Sequence, residues 1–145
     1  MGLTLAGLQQ VAIEMGMPLF SAKQMAEWLY VRQITDISQM TNISLKFREK
    51  LAGEYEMGLS APIHRVESVD GTVKYLFDAG QGHSVESVFI PDGDRGTLCI
   101  SSQVGCKMGC VFCMTGRQHY TASLTAGQIL NQILSLPEKE RLTNV

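Results

Sequence analysis

The sequence predicts an α+β fold in two parts, a helical module over residues 1–60 and a β-rich part over residues 61–145. In the first part apolar residues recur at helical spacing, whereas from Pro62 onward they alternate with polar residues, as in strands. Near the end of the chain, a strand, a cysteine-rich loop and a helix lead into an apolar segment, which is the order of elements in a β/α barrel. We therefore expect an antiparallel β extension followed by the first β-α unit of a partial barrel.

Three short helices are expected in the helical module, each from its own apolar periodicity. The first covers residues 5–15, and the third covers residues 44–55. The second begins at Ser21, a suitable N-cap, and includes Trp28, which we interpret as an anchor of the core. Together they form a helical bundle.

Four strands are expected in the second part, separated by turn-forming segments. Asp70-Gly71 is a hairpin signal, because glycine readily adopts the positive φ of tight turns, and the polar stretch 91–95 marks another turn. After the cysteines, Thr125 is the expected N-cap of a helix, and residues 142–145 begin a further strand. The four strands are expected at residues 63–69, 72–77, 83–90 and 96–102.

Composition and charge limit the classes of protein that fit the chain. Its 145 residues are 45% hydrophobic and 18% charged, as in packed globular proteins. No stretch approaches the roughly 18 apolar residues of a membrane span, and the N-terminus lacks a secretory pattern, so we expect a soluble cytoplasmic protein without a membrane partner. The formal charge of −2, with basic residues interleaved among acidic ones, gives no electrostatic indication of nucleic-acid binding.

Three cysteines, Cys106, Cys110 and Cys113, form a C-x3-C-x2-C motif and are the strongest chemical signal in the chain. Three thiolates can hold a four-iron, four-sulfur cluster while one iron stays open to a substrate or cofactor. All four cysteines lie within fifteen residues, which favours a reduced compartment over a disulfide framework. The alternative is a small zinc-stabilised RNA-binding or interaction module in which Cys99 supplies the fourth thiolate.

Strand alternation assigns Cys99 to a polar face. It shares that face with Thr97 and Ser101, whereas Leu98 and Ile100 share the opposite one. This position leaves two interpretations open, a functional thiol and an ordinary structural cysteine.

Glu86 interrupts an apolar face of the preceding strand, which it shares with Val88 and Ile90. An apolar setting would raise the pKa of its carboxyl and suit it to proton transfer near neutral pH. The alternative is a carboxylate that reaches solvent at the edge of the sheet. The three histidines are interpreted as ordinary surface or turn residues; they are His64, His83 and His119.

Residues 98–116, followed by Leu124-Thr125, closely resemble the radical S-adenosylmethionine (SAM) enzymes that methylate C2 of adenosine in 23S ribosomal RNA. Dual-specificity members of that family also methylate transfer RNA. The C-x3-C-x2-C motif alone indicates the radical SAM superfamily, and its coupling to Cys99-x-Ser-Ser-Gln points to this branch. Upstream segments agree, among them Glu27-Trp28-Leu29-Tyr30, Asp70-Gly71-Thr72 and Val85-Glu86-Ser87-Val88.

The resemblance implies that Cys106, Cys110 and Cys113 hold the four-iron, four-sulfur cluster and that SAM chelates its open iron. In this family one SAM methylates a cysteine near the C-terminus, and a radical from a second SAM activates that methyl group for addition to the base. Cys99 matches the cysteine that resolves the adduct through a disulfide, and Glu86 matches the proton acceptor. An electron donor for the cluster is implied as well.

By the same resemblance, residues 1–60 form an accessory RNA-binding module of helix-hairpin-helix type. No cysteine follows Cys113, so the methyl-carrying cysteine is absent, as is the Gly-Glu-Pro segment that contacts SAM in this family. The loop at residues 119–124 also differs from the family pattern. We therefore expect an inactive portion of a monomeric parent enzyme, whose uncovered strand edges favour self-association. A stable fold with an empty cysteine loop is a third alternative.

Overall fold

The predicted mixture of helices and antiparallel sheet is confirmed in the computed structural model, which describes every residue from Met1 to Val145. The chain divides into two units, Met1–Leu59 and Ser60–Val145, and each has its own hydrophobic core. No helix combines the length and the apolar character needed to cross a membrane.

Helices make up the first unit. The first of them begins at Thr4, whose Oγ1 accepts a hydrogen bond from Gly7 N at 3.2 Å and so caps the helix. The elements are α1 (Leu5–Glu14), α2 (Ser21–Ala26), a π-helical turn (Glu27–Val31), a 3-10 turn (Ile37–Gln39) and α3 (Leu45–Glu54). Methionines take a large share of the buried core, namely Met15, Met17, Met25 and Met40.

The prediction that Ser21 caps the second helix is wrong. The residue before the helix is Phe20, which already has helical dihedral angles, φ −64° and ψ −21°. Ser21 N donates to Pro18 O at 2.9 Å, so the helical turn begins upstream of Ser21, whose side chain is buried. An N-cap residue needs non-helical backbone angles, and Ser21 instead lies within the helix.

Trp28 packs against the first core while keeping polar partners. It is half-buried beside the core, and its indole N–H donates to Asn42 Oδ1 at 2.6 Å. The Arg32 guanidinium lies 4.3 Å from the ring centroid. The anchoring role predicted for the ring is therefore combined with a stacked cation and a satisfied N–H.

A four-stranded antiparallel sheet forms the centre of the second unit, in the order β1-β2-β3-β4. The first turn contains the predicted Asp70-Gly71, but it spans three residues, and only Gly71 has a positive φ, at 81°. The third and fourth strands extend further into their turn than predicted, because Asp92 pairs with Arg95. The strands are β1 (His64–Glu67), β2 (Val73–Gly80), β3 (His83–Asp92) and β4 (Arg95–Cys99).

One face of the sheet is buried and the other is open. Alternation places Tyr75, Ser87 and Leu98 on the buried face, and none of them is more than 1% exposed. Ile129 and Ile133, from the helix that follows the cysteine loop, pack into the same core. The opposite face is therefore the one that remains available for contacts with other groups.

Helix α5 (Ala126–Leu134) begins at the predicted N-cap. Thr125 Oγ1 accepts from Gln128 N at 3.2 Å, and Gln128 Oε1 accepts from Thr125 N at 2.8 Å, so the two residues form a capping box. After the helix, Asn144 forms a parallel bridge with Thr97 of β4. Strand, loop, helix and a parallel extended segment thus follow one another in the predicted order.

Tyr75 links the sheet to the chain that follows α5 through a partly buried polar contact. Its hydroxyl donates to the Glu138 carboxylate at 2.6 Å and accepts from Arg65 Nε at 3.3 Å. Burial, followed by the hydrogen bond to Glu138, raises the pKa of Tyr75 above its usual value of 10.0. Neutral Tyr75 therefore stabilises the fold below pH 10.0, and this stability is lost as the pH rises through the folded-state pKa.

Raising the pH should destabilise the wild-type chain more than Tyr75→Phe. We expect Tyr75→Phe to cost about 1–3 kcal/mol at neutral pH, because Glu138 loses its donor, and to flatten the fall in unfolding free energy above about pH 10. Urea unfolding followed by circular dichroism measures both effects. Tyr120→Phe is the control, since the hydrogen bond from Ser123 lowers the pKa of Tyr120, and it should keep the alkaline loss. An equal alkaline loss in Tyr75→Phe would refute the assignment.

Candidate functional site

A two-stranded hairpin closes the loop that carries the cysteines. β5 (Gln103–Val104) pairs antiparallel with β6 (Ala122–Ser123), and Thr121 N donates to Val104 O at 2.8 Å. Residues 105–121 therefore form a loop whose two ends are held side by side.

Further contacts hold the two ends of this loop together. Gly105 has a φ of 71°, and a Cβ at this position would collide with the His119 carbonyl oxygen, so the two backbones approach closely. Lys107 Nζ lies 4.2 Å from the centroid of the Tyr120 ring on the opposite end. The hydrogen bond from Ser123 and, less strongly, the Lys107 charge lower the pKa of Tyr120. The loop is thus tethered by backbone pairing and by side chains.

The three loop cysteines lie at successive points of this tethered loop. Cys106 follows β5 and Gly105, and its Sγ accepts a hydrogen bond from Met108 N at 3.4 Å, which places a backbone donor on the sulfur. Cys113 N donates to Cys110 O at 3.1 Å, and Cys113 precedes the short helix α4 (Met114–Arg117). All three thiols are free and partly exposed.

The turn from Cys110 to Cys113 is held by the residues that follow it. Gly116 packs on the Cys110 backbone, because a Cβ at Gly116 would stand 2.9 Å from Cys110 N and O. Arg117 Nη2 donates to Val111 O at 2.9 Å. Apolar side chains project outward from this turn with exposures of 72% to 89%, namely Met108, Val111, Phe112 and Met114.

The donor chemistry of the loop fits an iron–sulfur cluster. Three free thiols occur within eight residues, and Gly109 between them has a φ of 61° with open space around it, so the backbone can approach a bound group. The chain contains no gathered group of three or more histidine, cysteine, aspartate and glutamate side chains that could hold a metal ion. Cluster binding therefore requires the three sulfurs to close around the cluster within the tethered loop.

Glu86 and Cys99 lie on the same, open face of the sheet. Cys99 pairs with Val88 in the β3–β4 ladder, and Glu86 stands two residues from Val88 on β3. Cys99 is exposed, as its predicted polar face requires, while the adjacent Leu98 is buried. The sequence predicts a polar face for Cys99 and an apolar face for Glu86. The strand register corrects this prediction, because it places both residues on one surface.

The apolar setting predicted for Glu86 is wrong. Its side chain is 56% exposed, and its carboxylate lies 3.0 Å from Lys74 Nζ. Ser87 and Phe89 take the buried positions of β3, so the residues that alternate with them face outward. The solvent-reaching alternative describes the exposure correctly, although β3 is an inner strand rather than an edge.

A cleft of about 210 Å³ joins Glu86 to the cysteine loop. Glu86 lines it from the sheet, and Gly105, Thr115 and Gln118 line it from the loop. Ser101 connects the two sides, because it also lines the cleft and its Oγ donates to Glu86 O at 2.7 Å. The structure thus brings Glu86 together with the loop that carries the cysteines.

The zinc-module alternative has no support in this geometry. Cys99 ends β4 on the open sheet face, and β5 separates it in sequence from the other three cysteines. No metal-binding group of histidine, cysteine or acidic side chains forms, and all four cysteines are free rather than in disulfides. The histidines, which are exposed or half-exposed, fit the predicted surface and turn roles; these are His64, His83 and His119.

Sequence reasoning misses two residues that contact this site. Lys74 pairs with the Glu86 carboxylate, and Gln132 is fully buried beneath the chain that leads to the loop. The signal for Gln132 is its place between the apolar positions Ile129 and Ile133, where a carboxamide requires buried partners. No local signal marks Lys74, because its pairing arises from the register of β2 on β3.

The chain matches known proteins along its whole length. A family model described as the ribosomal RNA large subunit methyltransferase N-terminal domain matches residues 1–57. The probable dual-specificity RNA methyltransferase RlmN of Bacteroides fragilis is 62% identical over 145 residues, which are 100% of this chain and 42% of the relative. The dual-specificity RNA methyltransferase RlmN of Saccharophagus degradans is 45% identical over 133 residues, which cover 92% of this chain and 33% of the relative.

The fold matches a solved structure as well. The crystal structure of a radical SAM methyltransferase from Sphaerobacter thermophilus has a TM-score of 0.80 at 35% sequence identity, covering 97% of this chain and 41% of that chain. The chain spans about two fifths of the length of the Bacteroides relative, 42%. The resemblance inferred from the cysteine loop is thereby confirmed, because the whole chain matches the N-terminal portion of RlmN-type RNA methyltransferases and of a radical SAM methyltransferase.

Proposed function

We propose that this chain supplies the cluster-binding half of a radical SAM methyltransferase that modifies C2 of adenosine in 23S ribosomal RNA and in transfer RNA. The observation that carries the proposal is the C-x3-C-x2-C loop, tethered at both ends beside a sheet face that presents Glu86 and Cys99. The names of the relatives, which are dual-specificity RNA methyltransferases, support the same reaction class.

Cys106, Cys110 and Cys113 would hold a four-iron, four-sulfur cluster through three thiolates. When bound, such a cluster supplies an electron at low potential and offers SAM one iron that has no protein ligand. The Met108 N–H donates to the Cys106 sulfur, and hydrogen bonds of this kind tune the potential of a bound cluster. The paired ends of the loop limit how far the three sulfurs can move apart.

Glu86 and Cys99 would act from the open sheet face. Glu86 offers a carboxylate that can accept a proton at the wall of the cleft, beside the Lys74 ammonium. Cys99 offers an exposed, free thiol that can enter a thiol–disulfide step with a further cysteine. Their shared face is where an RNA base and the methyl donor would have to meet.

The two parts of the chain would divide the work. Residues 1–60 would be the accessory RNA-binding helical bundle of helix-hairpin-helix type, and residues 61–145 the β extension with the opening β-α unit of a radical SAM barrel. The parallel bridge between Thr97 and Asn144 supports the barrel, because its consecutive strands are parallel and joined through a helix. A low-potential electron donor, a monomeric whole protein and a cytoplasmic location complete the proposal.

A chimera with the Bacteroides fragilis relative tests this function. The two sequences align over 145 residues, so this chain can replace the aligned region within the full-length relative. We expect the chimera to restore 2-methyladenosine to ribosomal and transfer RNA in a bacterium that lacks its own enzyme, as measured by mass spectrometry of digested RNA. The same chimera with Cys110→Ala should leave both RNAs unmethylated.

Variants of the chimera separate cluster binding from the later steps. Glu86→Gln and Cys99→Ala should keep the iron content of the chimera, while product formation falls about a hundredfold or more. Val69→Thr is the surface control, because Val69 is fully exposed in the β1–β2 turn, and it should retain full activity. A chimera that folds and binds the cluster but methylates no RNA would overturn the proposed function.

A further inference from the structure

We propose that Gln132 is a positioning residue that clamps the backbone of Ser101 and thereby fixes the cysteine loop relative to Glu86 and Cys99. The inference rests on the proposed function, because it concerns the same site. It deepens that function by assigning the geometry of the site to a buried carboxamide on α5, outside the cysteine motif.

Gln132 has partners for every polar group of its side chain. Its Oε1 accepts from Ser87 Oγ at 2.7 Å and from Ser101 N at 2.9 Å. Its Nε2 donates to Ser101 O at 2.8 Å and to Gln128 O at 3.3 Å. Gln132 and Ser87 are both 0% exposed. A buried carboxamide with four partners is held in one orientation, because a rotation would leave buried groups unpaired.

The two bonds to Ser101 take the place of a neighbouring strand. In an antiparallel ladder, one residue accepts from the N–H and donates to the C=O of the residue opposite. Gln132 makes both bonds to Ser101 from a helix. β4 ends at Cys99 and β5 begins at Gln103, so Ser101 lies in the interval between the strands. Gln132 therefore extends the restraint of the sheet to the start of the cysteine loop.

Ser101 connects this restraint to each part of the site. Cys99 lies two residues before Ser101, and the loop opens at Gly105 four residues after it. Ser101 Oγ also donates to Glu86 O at 2.7 Å, so the Glu86 backbone is tied to the same residue. Glu86, Ser101 and Gly105 all line the cleft. A displacement of Ser101 would consequently change the spacing between the loop and the open sheet face.

Asn131 provides a matched control one residue earlier on α5. Its Oδ1 accepts from Ser60 N at 2.8 Å, and its Nδ2 donates to Ser60 O at 3.1 Å. Asn131 is 4% exposed, so it makes the same pair of backbone bonds in a similarly buried place. Replacing either carboxamide with the corresponding carboxylate is the same chemical change, directed at Ser60 in one case and at Ser101 in the other.

Gln132→Glu and Asn131→Asp in this chain test the clamp. An ionised carboxylate keeps the acceptors but loses the donor, and its oxygen then faces the backbone carbonyl that the carboxamide had bonded. A protonated carboxyl regains one donor, and burial raises the pKa of the introduced group. The Gln132→Glu defect should therefore be largest at alkaline pH and diminish as the pH falls below that pKa.

Amide hydrogen exchange reports the result, relative to the wild type at the same pH. At about pH 8 we expect Gln132→Glu to accelerate exchange in residues 100–105 about tenfold. Acidification should return this rate toward the wild type. Asn131→Asp should accelerate exchange around Ser60 and leave the cysteine segment unchanged.

The reconstituted cluster gives a second readout, since its electron paramagnetic resonance signal should broaden in Gln132→Glu and stay unchanged in Asn131→Asp. If the wild-type chain takes up no cluster, the metal site of the proposed function fails, while exchange still decides the clamp. Equal acceleration of both segments in both variants, or an unchanged loop in Gln132→Glu, would overturn the proposal. If Gln132→Glu does not fold, Ser87→Ala is the second variant, because it removes only one donor to Gln132. It should accelerate amide exchange in residues 100–105 by a smaller factor. Unchanged exchange in Ser87→Ala would also overturn the proposal.

Discussion

Cys106→Ala, Cys110→Ala and Cys113→Ala are each expected to abolish iron–sulfur binding by this chain, whereas Cys99→Ala should leave it intact. A site with three thiolates has no spare ligand, so the loss of one leaves two. Cys99 is exposed at the end of β4, outside the loop, so its removal should not change the metal content. Anaerobic reconstitution should give about four irons per chain in the wild type and Cys99→Ala, and almost none in the other variants.

Cys99→Ala also separates the cluster from zinc. A tetrahedral zinc site would use all four thiolates, so Cys99→Ala would then weaken metal binding as strongly as the loop variants do. A colourless wild-type chain that binds zinc tightly and unfolds on chelation would contradict the three-thiolate site.

Gly105→Ala is expected to open the cysteine loop and prevent cluster binding although every thiol is retained. A φ of 71° costs an alanine about 1–2 kcal/mol. The added Cβ would also collide with the His119 carbonyl and lie 3.0 Å from Tyr120 Cα. Because these obstacles are backbone atoms, relief requires the ends of the loop to separate and the β5–β6 pairing to break.

Gly93→Ala is the matched control for this substitution. Gly93 also has a positive φ, 55°, but nothing lies within 4 Å of its Cβ position, so only the conformational cost applies. We expect Gly93→Ala to keep the wild-type iron content, and Gly105→Ala to lose the iron and to expose residues 102–104 and 121–123 to rapid amide exchange. Equal iron contents in the two variants would argue against a role for loop closure.

Elements with local signals could be predicted from the sequence. Thr125 and Gln128 form their capping box within four residues, so the start of α5 is visible in the sequence itself. Asp70-Gly71 marks the first hairpin in the same way, although the turn is one residue longer than expected. The donor set of the candidate site is equally local, because the cysteines follow one another on one loop.

The buried face of β3 could not be predicted, because the deciding contact is remote. Within residues 85–90, the alternating set that contains Ser87 and the set that contains Glu86 each hold two apolar residues and one polar residue, so alternation does not show which set is buried. Ser87 is buried because Gln132 accepts its hydroxyl hydrogen from 45 residues away. The exposure of Glu86 follows from that choice.

A local sequence pattern also does not predict where distant backbone segments approach each other closely. Gly105 is required because residue 119 crosses the chain at that point, which depends on the pairing of β5 with β6. Ser21 differs in that the deciding contact is local, since its helix begins earlier because Pro18 O accepts from its N–H. Residue type alone suggested a cap at Ser21, and the preceding turn decided otherwise.

Electron paramagnetic resonance of the reduced chimera, recorded with and without SAM, is the most direct test of the central claim that three loop thiolates leave one iron open to SAM. We predict a cluster signal that shifts when SAM is added, both in the wild-type chimera and in its Cys99→Ala variant. A signal that SAM leaves unchanged, or one that disappears in Cys99→Ala, would contradict that claim.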